Sequence, residues 1–118
     1  MKMDYCVLGT NNMEESVKFY DSLFEQTEVN QVFANDRMTF WQCDDFTFAL
    51  AKPFNEEPAT NGNGTMIGLN VGSIEEVKRL YEKVLELGGS SEGEPNQRGP
   101  KYSAYTRDLD KNKIVFYA

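Results

Sequence analysis

The stretch NNMEESVKFYDSLFEQ, which begins at Asn11, returns sixty-one residues later as GSIEEVKRLYEKVLEL. Without a gap, that offset pairs Leu8 with Leu69, Glu14 with Glu75, Glu15 with Glu76, Tyr20 with Tyr81 and Glu25 with Glu86. Met13 and Ile74, Phe19 and Leu80, Leu23 and Val84, and Phe24 and Leu85 keep their character without being identical. A chain of 118 residues is one domain by length, with room for one substantial core but not for two independent ones. The two copies therefore have to be modules of a single domain, and what surrounds one copy should surround the other.

Each copy reads as a helix with a preceding strand. In the first, DYCVLG (residues 4–9) is short and partly alternating, as a strand is. Asn12 then stands as a helix cap with Glu15 three positions on, a capping box with Asn in place of Ser. Met13, Val17, Tyr20, Leu23 and Phe24 recur at helical spacing and form one apolar face. Three strand-like pieces follow, EVNQVFA, RMTFWQC and FTFALAK, separated by the turn pairs Asn35–Asp36 and Asp44–Asp45. The polar segment PFNEEPATNGNG ends the first half.

The second half runs in the same order. Strand TMIGLNV leads to a helix capped by Ser73, with Glu76 completing S-x-x-E. Its apolar face is Ile74, Val77, Leu80, Tyr81, Val84 and Leu85, and Gly88–Gly89 stop it. SSEGEPNQRGP reads as short or irregular, and the strands KYSAYTR and KIVFY close the chain around the turn DLDKN. The expected modules are residues 1–53 and 64–118, with a linker at 54–63. The fold class is α+β, two tandem β-α-β-β-β modules. One helix covers only one face of a small sheet. Two modules side by side would form a larger mixed sheet with helices outside and a curved, open inside that suits a ligand.

Composition removes several functions. There is no histidine, so Ser-His-Asp and Cys-His nucleophile systems cannot form in their usual shape, nor can metal sites built on imidazole. A formal charge of −7 repels phosphate backbones, and Arg98 and Lys101 are the only closely spaced basic pair in the EPNQRGPK segment. Nucleic acid is not an expected partner. No apolar run reaches the roughly 18 residues of a membrane span, and MKMDYCVLGT shows no secretory signal. Cys6 and Cys43 read as free buried thiols, Cys6 facing the helix layer with Leu8. The expected compartment is the cytoplasm. Asp108, Asp110 and Asn112 open like a calcium loop, but Lys113 stands where that loop needs Gly, so a hairpin turn is expected.

GTNNMEESVKFYDSLF, GNGTMIGLNV and YTRDLDKNKIVFY, in this order and with the internal repeat, resemble the vicinal oxygen chelate superfamily. That superfamily holds glyoxalase I, the bleomycin and fosfomycin resistance proteins and the extradiol dioxygenases. Its usual ending, FRDPDGNxIEL, is close to residues 106–116, and the resemblance covers essentially the whole chain. It implies a metal held by four strand residues, commonly His on the first strand of a module and Glu on the last. Those positions fall on Tyr5, Met66, Val115 and, less securely because hairpin lengths differ, Phe48. None of these four supplies a ligand set for a hard or borderline divalent metal. The resemblance is thus to the metal-free branch, with no cofactor, no catalytic residue and no metal ligand expected, and with homodimers implied.

In this reading Tyr5, Phe48, Met66 and Val115 line an apolar pocket; the plainer alternative is that they fill the cup by packing together. Trp41, Phe40, Met38, Tyr102 and Tyr105 are further candidates, and alternation allows only about half of them to face inward. Asn70 would orient a ligand, or else bond nearby backbone. Arg98, with Lys101, flanks a loop that would close over an anionic group, although a solvated loop charge is commoner. The expected partner is a small apolar or aromatic molecule. Binding or sequestration is favoured over a lyase, isomerase or dioxygenase with replaced ligands, and over an interaction module whose cup a partner chain closes.

Overall fold

The structure, a computed structural model, describes residues 1–118. The elements are β1 (Tyr5–Gly9), α1 (Met13–Leu23), β2 (Asn30–Ala34), β3 (Met38–Gln42) and β4 (Thr47–Ala51). Then come β5 (Met66–Asn70), α2 (Ile74–Glu86), β6 (Ser90–Arg98), β7 (Lys101–Arg107) and β8 (Lys113–Tyr117). This is β-α-β-β-β twice, in two compact units, Met1–Thr60 and Asn61–Ala118. The repeat offset holds at the start of both β1 and β5 and of both helices. The sheets have the same order, β1-β4-β3-β2 and β5-β8-β7-β6. In each, the first strand of the unit pairs parallel with the last, and the other pairings are antiparallel.

Both helices begin as their sequences indicate. Asn12 Oδ1 accepts from the Glu15 amide at 3.1 Å, and Ser73 Oγ accepts from the Glu76 amide, also at 3.1 Å. Each cap satisfies one of the amides that a helix start leaves without a partner. The second helix ends where Gly88 takes φ +98, and the Gly89 amide returns to the Val84 carbonyl at 2.9 Å. A side chain on Gly89 would meet the Arg107 carbonyl and Val84 Cγ1 at 2.5 Å each, so the doubled glycine serves both a turn and a close approach to β7.

In the first unit, α1 lays Phe19, Tyr20 and Leu23 on one face of its sheet. The Tyr20 ring lies 4.7 Å from that of Phe48 and 5.8 Å from that of Trp41, and Phe24 joins the same aromatic cluster. In the second unit, α2 buries Val77, Leu80, Tyr81 and Val84. The strand residues buried there include Ala104, Ile114 and Phe116, which share one side of the sheet by alternation. Ile74 and Leu85, from the helical face expected to be apolar, sit at its rim and are partly exposed.

Strand β6 is where the sequence reading falls short. SSEGEPNQR forms a nine-residue strand rather than an irregular stretch. Its pairing with β7 shifts register between Ser91 and Gly93 and again between Gly93 and Asn96. As an edge strand it tolerates Pro95 and a polar composition, and the bulges break the alternation that would have revealed it. The connector between the units is tied to the first. Asn11 Nδ2 donates to the Ala59 carbonyl at 3.0 Å, and the Ala59 amide donates to Asn11 Oδ1 at 2.7 Å. No helix is long and apolar enough to cross a membrane.

Candidate functional site

With one helix per unit, each sheet has a face that its helix does not cover. Register says which side chains stand there. In the first sheet the rows are Tyr5–Thr47–Gln42, Val7–Ala49–Phe40–Phe33 and Gly9–Ala51–Met38. Tyr5, Val7 and Phe33 are 60%, 42% and 51% exposed, so this face presents apolar side chains to solvent. A concavity of about 580 Å³ lies on this face, lined chiefly by Tyr5, Val7, Met38, Phe40, Gln42 and Thr47, with Arg37 at its edge. In the second sheet the rows are Met66–Lys113–Arg107, Gly68–Val115–Tyr105 and Asn70–Tyr117–Ser103. A Cβ on Gly68 would stand 3.3 Å from Val115 Cγ1 and 3.6 Å from the Tyr117 ring, so those side chains already occupy the space over the glycine.

The expected pocket residues divide by these rows. Tyr5, Met66, Asn70, Tyr105 and Val115 all stand on the faces away from the helices, as do Phe40 and Met38, although Val115 is buried there at 6% exposure. Three do not. Trp41 and Phe48 pair with each other and with Cys6 on the helix side, where they are 1% and 2% exposed. They are core, not pocket. Tyr102 has the opposite parity to Tyr105, and Lys78 of α2 stands 5.9 Å over its ring.

The placement of Phe48 is corrected by a single residue. Val115 pairs with Gly68, two residues beyond Met66, so its counterpart is the partner of Val7, which is Ala49. A slip of one position turns a strand residue to the other face, and the hairpin before β4 is where the count went astray. The positions expected to hold a metal now comprise a phenol, a thioether and two hydrocarbons, Tyr5, Met66, Ala49 and Val115, a set that does not fit a divalent ion. No three Asp, Glu or Cys side chains converge to replace them.

Asn70 uses its side-chain oxygen locally, accepting from the Gly72 amide at 3.1 Å. Arg98 flanks a tight turn, not a loop able to close over an anionic group. It ends β6, and only Gly99 and Pro100 separate it from Lys101 at the start of β7. Its guanidinium lies 5.1 Å over the Tyr105 ring and donates to the backbone carbonyls of Ser103 and Glu94. Sequence reasoning missed Lys113 and Tyr117. Lys113 Nζ lies 5.4 Å from the same Tyr105 ring centre, and Lys101 Nζ lies 4.6 Å from that of Tyr117. The family ending points to Val115, and alternation from Val115 would have put Lys113 and Tyr117 beside it.

The ionisable groups follow their surroundings. Burial on the helix side pushes the Cys6 thiol up, away from the reactive thiolate. Arg107 donates to Glu92 at 2.9 Å and holds its carboxyl below the ordinary carboxylate range, with Lys113 adding a weaker pull. Asp108, buried in the β7–β8 turn, accepts from the amides of Asp110 and Asn112 and from Asn112 Nδ2, so this segment is the expected hairpin turn.

Residues 2–116 match the model of the Glyoxalase/Bleomycin resistance protein/Dioxygenase superfamily. The chain belongs to this superfamily. A glyoxalase/bleomycin resistance protein from Albidiferax ferrireducens is 34% identical with a TM-score of 0.91, over 98% of this chain and 96% of that one. A lactoylglutathione lyase from Agrobacterium tumefaciens shares the superfamily fold at 17% identity and a TM-score of 0.74, over 98% and 92% of the two chains. A fosfomycin resistance protein from Mesorhizobium loti does so at 18% identity and 0.71, over 100% and 91%. At those identities the likeness is one of fold alone. No curated protein matches the chain.

Proposed function

We propose that this superfamily member binds a small apolar or aromatic molecule on its open sheet faces and needs no resident metal to do so. The observation that carries this reading is the residue set Tyr5, Ala49, Met66 and Val115, which puts a phenol, a thioether and two hydrocarbons where a metal-using relative would offer ligands, with Tyr5 and Met66 60% and 46% exposed. Exposed Tyr5, Val7 and Phe33 beside a concavity supply the apolar contact that such a ligand requires. A single polar handle such as Gln42 or Thr47 would orient it. Binding of this kind suits sequestration and asks for no chemical step.

The test is metal analysis of protein purified from metal-replete cells, followed by thermal-shift screening of planar and amphipathic compounds in the presence of a chelator. The reading expects metal far below one equivalent and a ligand-dependent rise in melting temperature that the chelator leaves intact. Tightly bound metal near one equivalent would overturn it in favour of a lyase, isomerase or dioxygenase with substituted ligands.

A further inference from the structure

The open face of the second sheet differs from that of the first in charge. Residues 1–60 carry four basic and eleven acidic side chains, so the whole formal charge of −7 belongs to the first unit. Residues 61–118 carry eight of each. Within the second unit the basic groups are not spread evenly. Lys101, Arg107 and Lys113 occupy open-face positions of β7 and β8, and Arg98 pairs with Lys101 across the hairpin. Arg107 is neutralised by Glu92, and Lys113 feels the same carboxylate more weakly. Arg98, Lys101 and Lys113 have no carboxylate within ion-pair distance. Each stands over a tyrosine ring instead.

That arrangement has a chemical consequence. A cation–π contact steers an ammonium or guanidinium without cancelling its charge, so all three remain available to an anion. Arg98 is also held by two backbone carbonyls, which fixes its planar fork before any ligand arrives. Arg98 and Lys113 both lie within 5.4 Å of the Tyr105 ring centre, and Met66, 46% exposed, continues the face with apolar surface. Three cations without an ion pair on one face run against the acidic balance of the chain.

We infer that the open face of the second sheet recognises the oxyanion of an amphipathic small molecule, a carboxylate or phosphonate joined to an aromatic or apolar body. Arg98 and Lys113, which share the Tyr105 ring, receive the oxyanion, Lys101 at Tyr117 adds to the positive field, and Tyr105, Tyr117 and Met66 take the body. This rests on the small-molecule reading above and narrows its ligand class.

The experiment is an amide-resolved NMR titration of the whole chain with benzoate, phenylphosphonate and, as the neutral control, benzyl alcohol. Benzoate and phenylphosphonate are expected to shift the Gly68, Tyr105 and Val115 amides saturably, and benzyl alcohol to bind at least about tenfold more weakly. Lys101→Gln and Lys113→Gln remove charge from side chains that make no hydrogen bonds, so the fold should hold and anion affinity should drop by about tenfold for the pair. Equal binding of all three probes, or anion affinity unchanged in the double variant, would overturn the oxyanion assignment while leaving small-molecule binding intact. No saturable shift on either open face with any probe would overturn both.

Discussion

Trp41 donates its indole N–H to Asp21 Oδ1 at 2.9 Å, joining the middle of β3 to helix α1. The ring is 1% exposed, so the carboxylate is the partner that makes its burial tolerable. Asp21→Ala should cost about 1–3 kcal/mol in a urea melt, because it strands a buried donor. As this is the only tryptophan, its emission should report unfolding of the first unit and stay nearly constant when a ligand occupies an open face. A large emission change on ligand binding to the folded protein would contradict the placement.

The mutual bonds between Asn11 and Ala59 hold the connector against the loop that follows β1. Asn11→Ala should speed limited proteolysis within residues 53–62 by roughly tenfold, equivalent to the one or two hydrogen bonds lost. An unchanged cleavage rate would mean that other contacts fix the connector.

Asn12 and Ser73 occupy equivalent caps with equal bond lengths. Asn12→Ala and Ser73→Ala should each destabilise the protein by about 1 kcal/mol, measured as a shift of the denaturation midpoint at constant slope. The double variant should lose the sum, since the caps belong to different helices and share no partner.

Glu76 gains a second role beyond its capped amide. Arg79 donates to both of its oxygens, at 2.5 and 2.9 Å, and that bonding holds the Glu76 carboxyl below the ordinary carboxylate range. A carboxylate lowered in the folded state binds protons more readily when unfolded, so its contribution is complete above the ordinary carboxylate range and disappears as pH falls through the folded value. The stability difference between the wild type and Glu76→Gln should therefore shrink as pH falls below the ordinary carboxylate range. With the pair partly exposed, the effect is small, below about 1 kcal/mol.

Lys111 adopts φ +69 in the turn that Asp108 and Asn112 organise. Left-handed backbone disfavours a residue with a Cβ by about 1–2 kcal/mol, so Lys111→Gly should raise the melting temperature although it deletes only an exposed side chain.

The sequence revealed the fold through features that act locally. The caps at Asn12 and Ser73, the glycine pair at 88–89 and the alternation of β1 and β5 each follow from neighbours in the chain, and the repeat confirmed them twice. The site was harder to read because it depends on register. Trp41, Phe48 and Tyr102 look as suitable for a pocket as Phe40 and Tyr105 do, and only the pairing of strands separates them. The cationic face was hidden for a similar reason. Arg98 and Lys113 lie fifteen residues apart in the chain, and it takes the β6–β7–β8 order to bring both to Tyr105.

The constant offset between β1 and β5, and between α1 and α2, makes the succession of elements periodic. Counted from Asn61 to the end and then from Met1 to Thr60, the chain still spells β-α-β-β-β twice. A circularly permuted version opened at the connector would therefore keep every parallel and antiparallel pairing within an unbroken unit. Its topology has no privileged first module.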